Sequence, residues 1–281
     1  MKKVFFVILG LFLFLIIVSI VLILFQKNMP AGDRIALMRI EGLIVDSKEI
    51  TEELKDYVKN PSIKAIVLRI DSPGGAVGPS QEIYEEVKKA VAKKKVLVSM
   101  GTVAASGGYY IASPATRIIA NPGTLTGSIG VIMEIPNISG LMDKLGIKTE
   151  VVKSGRYKDI ASIFRGIGKE ERDILQGVLD DVHLQFIEAV SEGRKMPRSD
   201  VEKIADGRVF TGEQALKAGL IDELGNLEDA VQVAAKLSGI KGEPVIITKK
   251  ERFSIIDLIR GVPKDLTGIM PAVKLKYLYA P

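Results

Sequence analysis

The stretch Gly101–Gly130, GTVAASGGYYIASPATRIIANPGTLTGSIG, follows a short apolar segment, Val96–Met100, whose composition favours a β-strand. Near its start lies Ser106, with Ala104-Ala105 before it and Gly107-Gly108 after it. Side chains this small allow a second backbone to approach the serine hydroxyl closely. The pattern predicts a strand that turns sharply at Ser106 into a short helix. Two interpretations stay open on these residues alone: Ser106 is a nucleophile, or it is an ordinary helix N-cap.

A second glycine turn lies upstream of this stretch. The β-rich run Ala65–Ile70 ends at Asp71-Ser72-Pro73-Gly74-Gly75, and an amphipathic helix, Ser80–Ala92, leads on to Val96–Met100. The order strand, helix, strand predicts a parallel pair with a right-handed crossover. Glycines directly after a buried strand can point backbone N–H groups into a crevice, and such donors suit an oxyanion. An ordinary strand-to-helix turn is the alternative for Gly74-Gly75.

The rest of the chain continues the α/β pattern. Further strands are predicted at Ile35–Ile40, Arg117–Ala120, Ile129–Glu134, Thr149–Val152 and Pro244–Thr248. Further helices are predicted at Ser47–Val58 with Ser47 as N-cap, Ser139–Leu145, Lys169–Gly193, Asp200–Ala205, Glu213–Ala218 and Leu227–Leu237. The predicted organisation is an N-terminal segment at 1–27, a linker at 28–33, one α/β domain at 34–240 and a C-terminal extension at 241–281.

The N-terminal segment contains 22 residues without a charge, Val4–Phe25. As a helix it would be about 33 Å long, enough to cross the hydrocarbon core of a bilayer. We expect an uncleaved membrane anchor rather than a cleaved secretory signal, because the run is long and no A-x-A site follows it. Lys2-Lys3 precede the run, so the positive-inside rule predicts a cytoplasmic N-terminus with the bulk of the chain on the other side of the membrane.

Composition excludes several classes of site. The 281 residues include no cysteine and one histidine, His183, so thiolate catalysis and a multi-histidine metal site are excluded. Residues 28–281 carry 36 basic and 34 acidic groups, and no basic stripe is interleaved with aromatic residues. We therefore expect no metal, no cofactor and no nucleic-acid partner.

A nucleophilic serine needs a base, and the choice of base is difficult. His183 lies within a predicted helix beside apolar positions, where a surface or packing role is expected. A lysine is then the natural partner, as in serine–lysine variants of the catalytic triad. Local context favours Lys158 in a glycine-containing loop, with Lys153 as its nearest rival. A solvated loop lysine remains the alternative for Lys158.

Several motifs together resemble the signal peptide peptidase A family, in its short form with one catalytic repeat. The similarity runs from about Arg34 to Ala235 and includes the N-terminal anchor. It is carried by Asp71-Ser72-Pro73-Gly74-Gly75, Ser99-Met100-Gly101, Ala104-Ala105-Ser106-Gly107-Gly108-Tyr109-Tyr110, Thr124-Leu125-Thr126-Gly127-Ser128-Ile129-Gly130-Val131-Ile132, Lys153-Ser154-Gly155, Lys158-Asp159 and Ala205-Asp206-Gly207-Arg208-Val209-Phe210-Thr211-Gly212.

The resemblance implies a fold like that of the Clp protease and crotonase enzymes, a repeated ββα superhelix. It implies a serine–lysine dyad in which Ser106 is the nucleophile, Lys158 the general base and Ser128 the residue that orients the lysine. Gly75 and Gly107 match the backbone donors of the oxyanion hole. The loop after Lys158 departs mildly from the family pattern, reading Ala161-Ser162-Ile163-Phe164, which bears only on the local turn.

The same resemblance implies released signal peptides as substrates, and a ring-shaped homo-oligomer whose active sites combine residues of neighbouring subunits. Two rival functions are kept open: a crotonase-like acyl-CoA enzyme and a non-enzymatic membrane scaffold. In the extension, Phe253–Ile259 is expected to pack on the core or on a neighbouring subunit. Lys274–Pro281, KLKYLYAP, is apolar-rich, and we raise the hypothesis that it enters the chain's own active site as a pseudo-substrate.

Overall fold

A computed structural model describes residue 10 and residues 12–19, 33–249 and 275–278 of the chain. Eleven strands lie within these residues: β1 (Arg34–Glu41), β2 (Ile63–Ser72), β3 (Gly74–Ala76), β4 (Lys95–Ala105), β5 (Arg117–Ala120), β6 (Leu125–Gly127), β7 (Ile132–Met133), β8 (Val209–Thr211), β9 (Glu223–Leu224), β10 (Val245–Ile247) and β11 (Leu275–Leu278). Eight helices lie within residues 33–249: α1 (Lys48–Lys59), α2 (Val77–Val91), α3 (Gly107–Ala112), α4 (Ser139–Lys144), α5 (Lys169–Arg194), α6 (Arg198–Glu202), α7 (Gly212–Lys217) and α8 (Leu227–Leu237).

The central sheet is parallel, as the strand–helix–strand pattern predicts. Its strands follow the order β10-β1-β2-β4-β5-β9, and each neighbouring pair in this path is parallel. The short strand β6 extends the carboxyl end of β4 in parallel, and β8 joins β6 antiparallel. Because parallel strands share one direction, the turns that follow β2 and β4 emerge at the same edge of the sheet.

Both faces of this sheet are covered, which explains the nearly continuous apolar sequences of its strands. Alternate residues of β1 point to opposite sides: Ile35 and Leu37 pack with one core cluster, Ala36 and Met38 with the other. The first cluster is completed by buried residues of α8, and the second by residues of α1, α2, α3 and α5. Packing on both faces holds the sheet in one position. It therefore also holds the edge from which the turns after β2 and β4 emerge.

A second, smaller sheet lies beside that edge. Its order is β3-β11-β7, with β11 antiparallel to both neighbours. Tyr277 of β11 stands opposite Gly75 of β3, and Lys276 stands opposite Ile132 of β7. A strand from the C-terminal extension therefore lies against the turn that follows β2.

Most predicted elements are present, with shifted boundaries. The strand predicted at Val96–Met100 continues to Ala105 and so reaches Ser106 directly. The strand predicted at Thr149–Val152 is wrong, because residues 145–168 contain neither helix nor strand. Only Ile132–Met133 of the strand predicted at Ile129–Glu134 is extended and paired. Ser47 precedes α1 without capping it, since its hydroxyl donates to Glu82 of α2.

The predicted membrane anchor falls largely outside the described residues. Of the run Val4–Phe25, residues 12–19 are helical, and the large apolar side chains from Phe12 to Ile17 are exposed. Within the part of the chain that the structure describes, no helix combines the length and the apolar character needed to cross a membrane. The segment Phe253–Ile259, for which we predicted a packing role, also lies outside the described residues.

Candidate active site

Ser106 occupies a strained turn between β4 and α3. Its backbone has φ 51° and ψ −116°, a region that residues other than glycine rarely adopt. A sharp strand-to-helix turn presents the nucleophilic serine in α/β-hydrolases. The residue is 1% exposed, and its Oγ is buried without a hydrogen-bond partner among the described residues. Because the hydroxyl makes no capping bond, the N-cap interpretation of Ser106 is not supported.

The turn is held in place by β6. The Ser106 N–H donates to the Gly127 carbonyl at 2.8 Å, and the Thr126 hydroxyl donates to the Ala104 carbonyl at 2.7 Å. Ser128, which follows Gly127, is 7% exposed and, like Ser106, has a positive φ, 49°. These bonds hold β6, which ends one residue before Ser128, against the turn that carries Ser106.

The glycine turn after β2 lies against the start of α3. A Cβ added to Gly107 would lie 3.2 Å from Gly74 Cα and 3.2 Å from Gly75 N. The Gly74 N–H donates to the Ser72 hydroxyl at 3.1 Å, which fixes the beginning of this turn. The structure thus brings together the two predicted oxyanion donors, Gly75 and Gly107, beside Ser106.

Side chains are excluded from both positions of the Gly74-Gly75 turn. Gly74 has φ +103°, and a Cβ there would lie 2.0 Å from the Tyr277 carbonyl oxygen and 2.7 Å from Gly107 N. A Cβ on Gly75 would lie 2.1 Å from the Ile44 carbonyl oxygen. The Tyr277 carbonyl oxygen and the Gly107 nitrogen thus both lie against Gly74.

The side chain of Tyr277 fills an aromatic pocket and is fully buried. Its ring stacks on Tyr110, with 5.0 Å between ring centroids, and lies 4.8 Å from Phe186. Tyr84 packs on the other side of Tyr110 at 4.9 Å. Burial, foremost, raises the pKa of all three tyrosines, that of Tyr110 to about 12, so their hydroxyls are neutral near pH 7. The Tyr277 hydroxyl donates to the Val182 carbonyl at 3.3 Å.

A cavity of about 630 Å³ begins at Ser128 and is bordered by the next tail residue, Leu278. Its wall includes His183, which we had expected to have a surface or packing role. His183 is half-buried, and its Nε2 has no hydrogen-bond partner among the described residues. The cavity lining is Ser128, Gly130, Val131, Ile132, Gln176, Leu179, Asp180, His183, Ala205, Asp206, Gly207 and Leu278.

Lys158 is not brought to Ser106 within one chain. It is exposed, does not line the cavity at Ser128, and its amine has no hydrogen bond or ion pair with any residue that the structure describes. Its rival Lys153 is held in an ion pair with Asp159. Of the two lysines considered as the base, Lys158 is therefore the one without a partner among the described residues.

The structure supplies parts of the site that sequence reasoning had not assigned. Ser128 N–H donates to the Arg208 carbonyl at 2.9 Å, and Phe210 lies where a Cβ on Gly127 would be, at 2.5 Å. The signal for both was present in the motif from Ala205 to Gly212, to which no role had been given. No group of three or more acidic or histidine side chains within the described residues could hold a metal ion.

Comparison with known proteins places this site in a family. The family model Peptidase family S49 matches residues 88–241, more than half of the chain and including Ser106, Ser128 and Lys158. The chain belongs to peptidase family S49. A second model, Clp protease, matches residues 42–123 of this S49 chain, a range that includes the Gly74-Gly75 turn. The predicted Clp-like α/β domain is confirmed by this match.

Several relatives of the S49 chain are named as proteases. It is 46% identical over 214 residues to the Synechocystis protein named "Putative protease slr0021", covering 75% of this chain and 77% of the relative. It is 34% identical to an Enterococcus faecium protein named "Putative signal peptide peptidase SppA", covering 79% and 68%. It is 38% identical to Protease 4 of Salmonella typhi, covering 86% of this chain but 42% of that longer protein. Family and relatives support a serine protease.

Among solved structures, the S49 chain resembles a mutant of the 1510-N membrane-bound stomatin-specific protease. The TM-score is 0.50, the sequence identity is 16%, and the match covers 77% of this chain and 97% of the other. At this identity the likeness supports the fold alone.

Proposed function

We propose that this S49 chain is a membrane-anchored serine endopeptidase that degrades released signal peptides and similar apolar peptides through a Ser106–Lys158 dyad. The observation that carries the proposal is the hydroxyl of Ser106, which is buried, unpaired among the described residues and presented on a strained turn next to two glycine N–H groups. A hydroxyl in this setting is suited to attack a carbonyl whose oxygen lies at those donors.

The proposed chemistry is that of a serine–lysine dyad. Unprotonated Lys158 removes the proton of Ser106, whose Oγ attacks the scissile carbonyl and forms a tetrahedral intermediate. The N–H groups of Gly75 and Gly107 hold the oxyanion, and protonated Lys158 then donates its proton to the departing amine. Water hydrolyses the acyl-enzyme with Lys158 again acting as base. Ser128 orients the lysine amine without bringing a charge of its own.

The exposure of Lys158 favours a site shared between subunits. A lysine acts as a base only when it is unprotonated, and removal from water favours that form. Lys158 is exposed in the single chain, whereas the cavity beside Ser128 has room for a side chain from elsewhere. We infer that Lys158 of a neighbouring copy enters this cavity, in a ring-shaped homo-oligomer.

The tail strand supports an extended binding mode for the substrate. β11 adds between β3 and β7 with main-chain pairing, which is how extended peptides bind to sheet edges in many proteins. The Tyr277 carbonyl oxygen lies against Gly74 of the glycine turn, and the Tyr277 ring fills the aromatic pocket. We infer that a substrate replaces this strand, with a large apolar side chain in the pocket of Tyr84, Tyr110 and Phe186.

Mixing two inactive variants tests the dyad and its shared nature together. Ser106→Ala and Lys158→Ala are each expected to lose turnover of an apolar peptide and to keep the fold by circular dichroism. Co-refolded at equal amounts, they are expected to recover about one quarter of wild-type activity, because a random ring pairs an intact serine with an intact neighbouring lysine at that frequency. Recovery of nothing would contradict the shared site, and full activity of Lys158→Ala alone would contradict the dyad.

Labelling with a fluorophosphonate probe separates an enzyme from a non-enzymatic scaffold. The wild-type chain is expected to react at Ser106 and the Ser106→Ala variant not to react. Equal labelling of both proteins would show that the nucleophile is a residue other than Ser106. No labelling of either protein would favour a non-enzymatic scaffold. Proposed anchoring through Val4–Phe25 is tested separately, by whether the full chain remains with vesicles after a wash at high salt.

A further inference from the structure

The loop that carries Lys158 has no regular structure of its own. Residues 145–168 contain neither helix nor strand, and the bonds near Lys158 are isolated turns such as Lys158 N–H to the Gly155 carbonyl at 3.1 Å. Ala161 is buried with φ +66°, a strained conformation for a residue with a side chain. A loop like this keeps one conformation only if side-chain contacts hold it.

One arginine makes most of those contacts. Arg165 Nε donates to Asp159 Oδ2 at 2.9 Å, and its Nη2 donates to the Asp159 carbonyl at 3.2 Å. On its other side, Arg165 Nη1 donates to Glu171 Oε2 at 2.7 Å, and Nη2 donates to Glu171 Oε1. Arg165 thus joins the residue directly after Lys158 to the first turn of α5.

The far side of this link is rigid. Glu171 Oε2 also accepts the Gly168 N–H at 3.0 Å and so caps the start of α5. The last turns of the same helix are anchored in the core by Phe186 and Val190, both fully buried. A loop that is bonded to Glu171 is therefore held against the core of the domain.

The two carboxylates in the link are mostly shielded from solvent, with 14% of the Asp159 side chain and 12% of the Glu171 side chain exposed. Hydrogen bonds from Arg165 and then from Lys153 hold the pKa of Asp159 well below its usual range. Hydrogen bonding to Arg165 also lowers the pKa of Glu171 to about 2. Both groups stay ionised throughout the pH range in which a peptidase works.

We propose that Arg165 is a positioning residue for Lys158, because it clamps Asp159 to Glu171 and so fixes the Lys158 loop to α5. The proposal rests on the proposed role of Lys158 as base. The planar guanidinium meets one carboxylate with two N–H groups and the other with a third, a geometry that a lysine cannot reproduce. Loss of the clamp lets Lys158 move while leaving the substrate pocket intact, because Phe186, the pocket residue on α5, is held in the core near the other end of that helix.

The same loop offers a matched control. Arg156 also pairs with a glutamate of α5, Glu170, but its side chain is 73% exposed and that of Glu170 is 54% exposed. An exposed pair of this kind contributes little to structure. Arg156→Ala removes an arginine two residues from Lys158, as Arg165→Ala removes one seven residues away, without breaking the clamp.

The test measures kcat, KM and the pH dependence of kcat for the full chain, using an apolar peptide. Arg165→Ala is expected to lower kcat at least about tenfold with KM within about twofold, because small displacements of a catalytic group are costly. The acid limb of its pH profile is expected to shift, since Lys158 loses its fixed surroundings. Arg165→Lys is expected to recover part of kcat, and Arg156→Ala is expected to match wild type.

Several other results would contradict a positioning role for Arg165. An unchanged kcat for Arg165→Ala, a change in KM alone, or an equal loss in Arg156→Ala would overturn the proposal. Should Arg165→Ala fail to fold, Glu171→Gln tests the same clamp with side-chain size kept. Lys158→Ala is measured alongside: if it is active, the proposed function fails, whereas an inactive Lys158→Ala with a fully active Arg165→Ala overturns the positioning role alone. A Lys158→Ala/Arg165→Ala double variant is expected to be no worse than Lys158→Ala.

Discussion

The N–H of Ser106 donates to the carbonyl of Gly127, and this 2.8 Å bond ties the strained turn after β4 to the last residue of β6, directly before Ser128. The turn has a backbone conformation that costs free energy for any residue with a side chain. The bond is one of the contacts that offset this cost and keep the serine hydroxyl away from a helix-capping role.

The strain at Ser106 predicts an unusual order of stabilities. Ser106→Gly is expected to raise the free energy of unfolding by about 1 kcal/mol over Ser106→Ala, because glycine adopts positive φ without steric cost. Both variants are expected to be inactive. Urea unfolding followed by circular dichroism measures the difference, and a Ser106→Ala protein more stable than Ser106→Gly would show that the turn is not strained.

Gly75 should tolerate no side chain. Its Cβ would lie 2.1 Å from the Ile44 carbonyl oxygen, so Gly75→Ala forces the backbone apart at the predicted oxyanion donor. We expect a loss of at least about 100-fold in kcat, the scale seen when one oxyanion donor is removed. Gly78→Ala is the control, since a Cβ there meets nothing within 4 Å. Equal activity of the two variants would contradict the assignment of Gly75.

The tail strand should compete with substrate. Tyr277→Ala removes a fully buried ring from the aromatic pocket and is expected to raise the initial rate of probe labelling at Ser106 several-fold, because the strand leaves more often. Tyr277→Phe keeps the ring and loses only the bond to the Val182 carbonyl, so it is expected to label near the wild-type rate. A slower reaction in Tyr277→Ala would show that the tail supports the site instead of covering it. Mass spectrometry of the purified C-terminus tests whether the tail is also cut.

Asp222 links stability to pH. Burial, the largest single influence, would raise its pKa. The hydrogen bonds and charge of Arg194, the Ile118 N–H and the charge of Arg117 together outweigh burial, so the pKa lies below its ordinary value. A lowered pKa means that the carboxylate stabilises the fold above about pH 4, the unfolded value, and that this contribution is lost as pH falls further. Asp222→Asn is expected to cost about 2 kcal/mol at pH 7.

The gap between wild type and Asp222→Asn should narrow below about pH 4 in thermal or urea unfolding. Glu188→Gln is the control, because Glu188 pairs with Arg198 on the surface and both side chains are about half exposed or more. Its removal is expected to change stability by less than about 0.5 kcal/mol at either pH. A gap for Asp222→Asn that widens in acid would contradict the sign of the pKa shift.

The local sequence was sufficient to predict the position of the site residues that follow the strands of the central sheet. Ser106 and the glycines follow buried apolar strands, and parallel strands end at one edge, so their proximity follows from topology. The predicted strand at Thr149–Val152 failed because β-branched residues form a strand only beside a partner, and Val152 is fully exposed. No local pattern selects a partner for a strand in an extension about 200 residues away from Gly75.

Lys158 marks the other limit of sequence reasoning. Local context favours Lys158, but loop lysines are common, and the family resemblance decides the choice. The structure adds that its neighbour Lys153 is committed to Asp159, whereas Lys158 has no such partner among the described residues. In the proposed function, Lys158 reaches Ser106 of a neighbouring subunit. Such a contact between subunits cannot be predicted from a local sequence pattern or observed in a single chain.

Because β11 belongs to the same chain as Ser106, dilution does not remove it. A tethered segment acts at a fixed local concentration, on the order of millimolar for a flexible connection. A peptide dissolved at micromolar concentration would seldom displace it, whereas peptides crowded into the plane of a membrane reach far higher local concentrations. The strand would then act as a threshold, leaving dilute peptides uncut and admitting those that accumulate next to the enzyme.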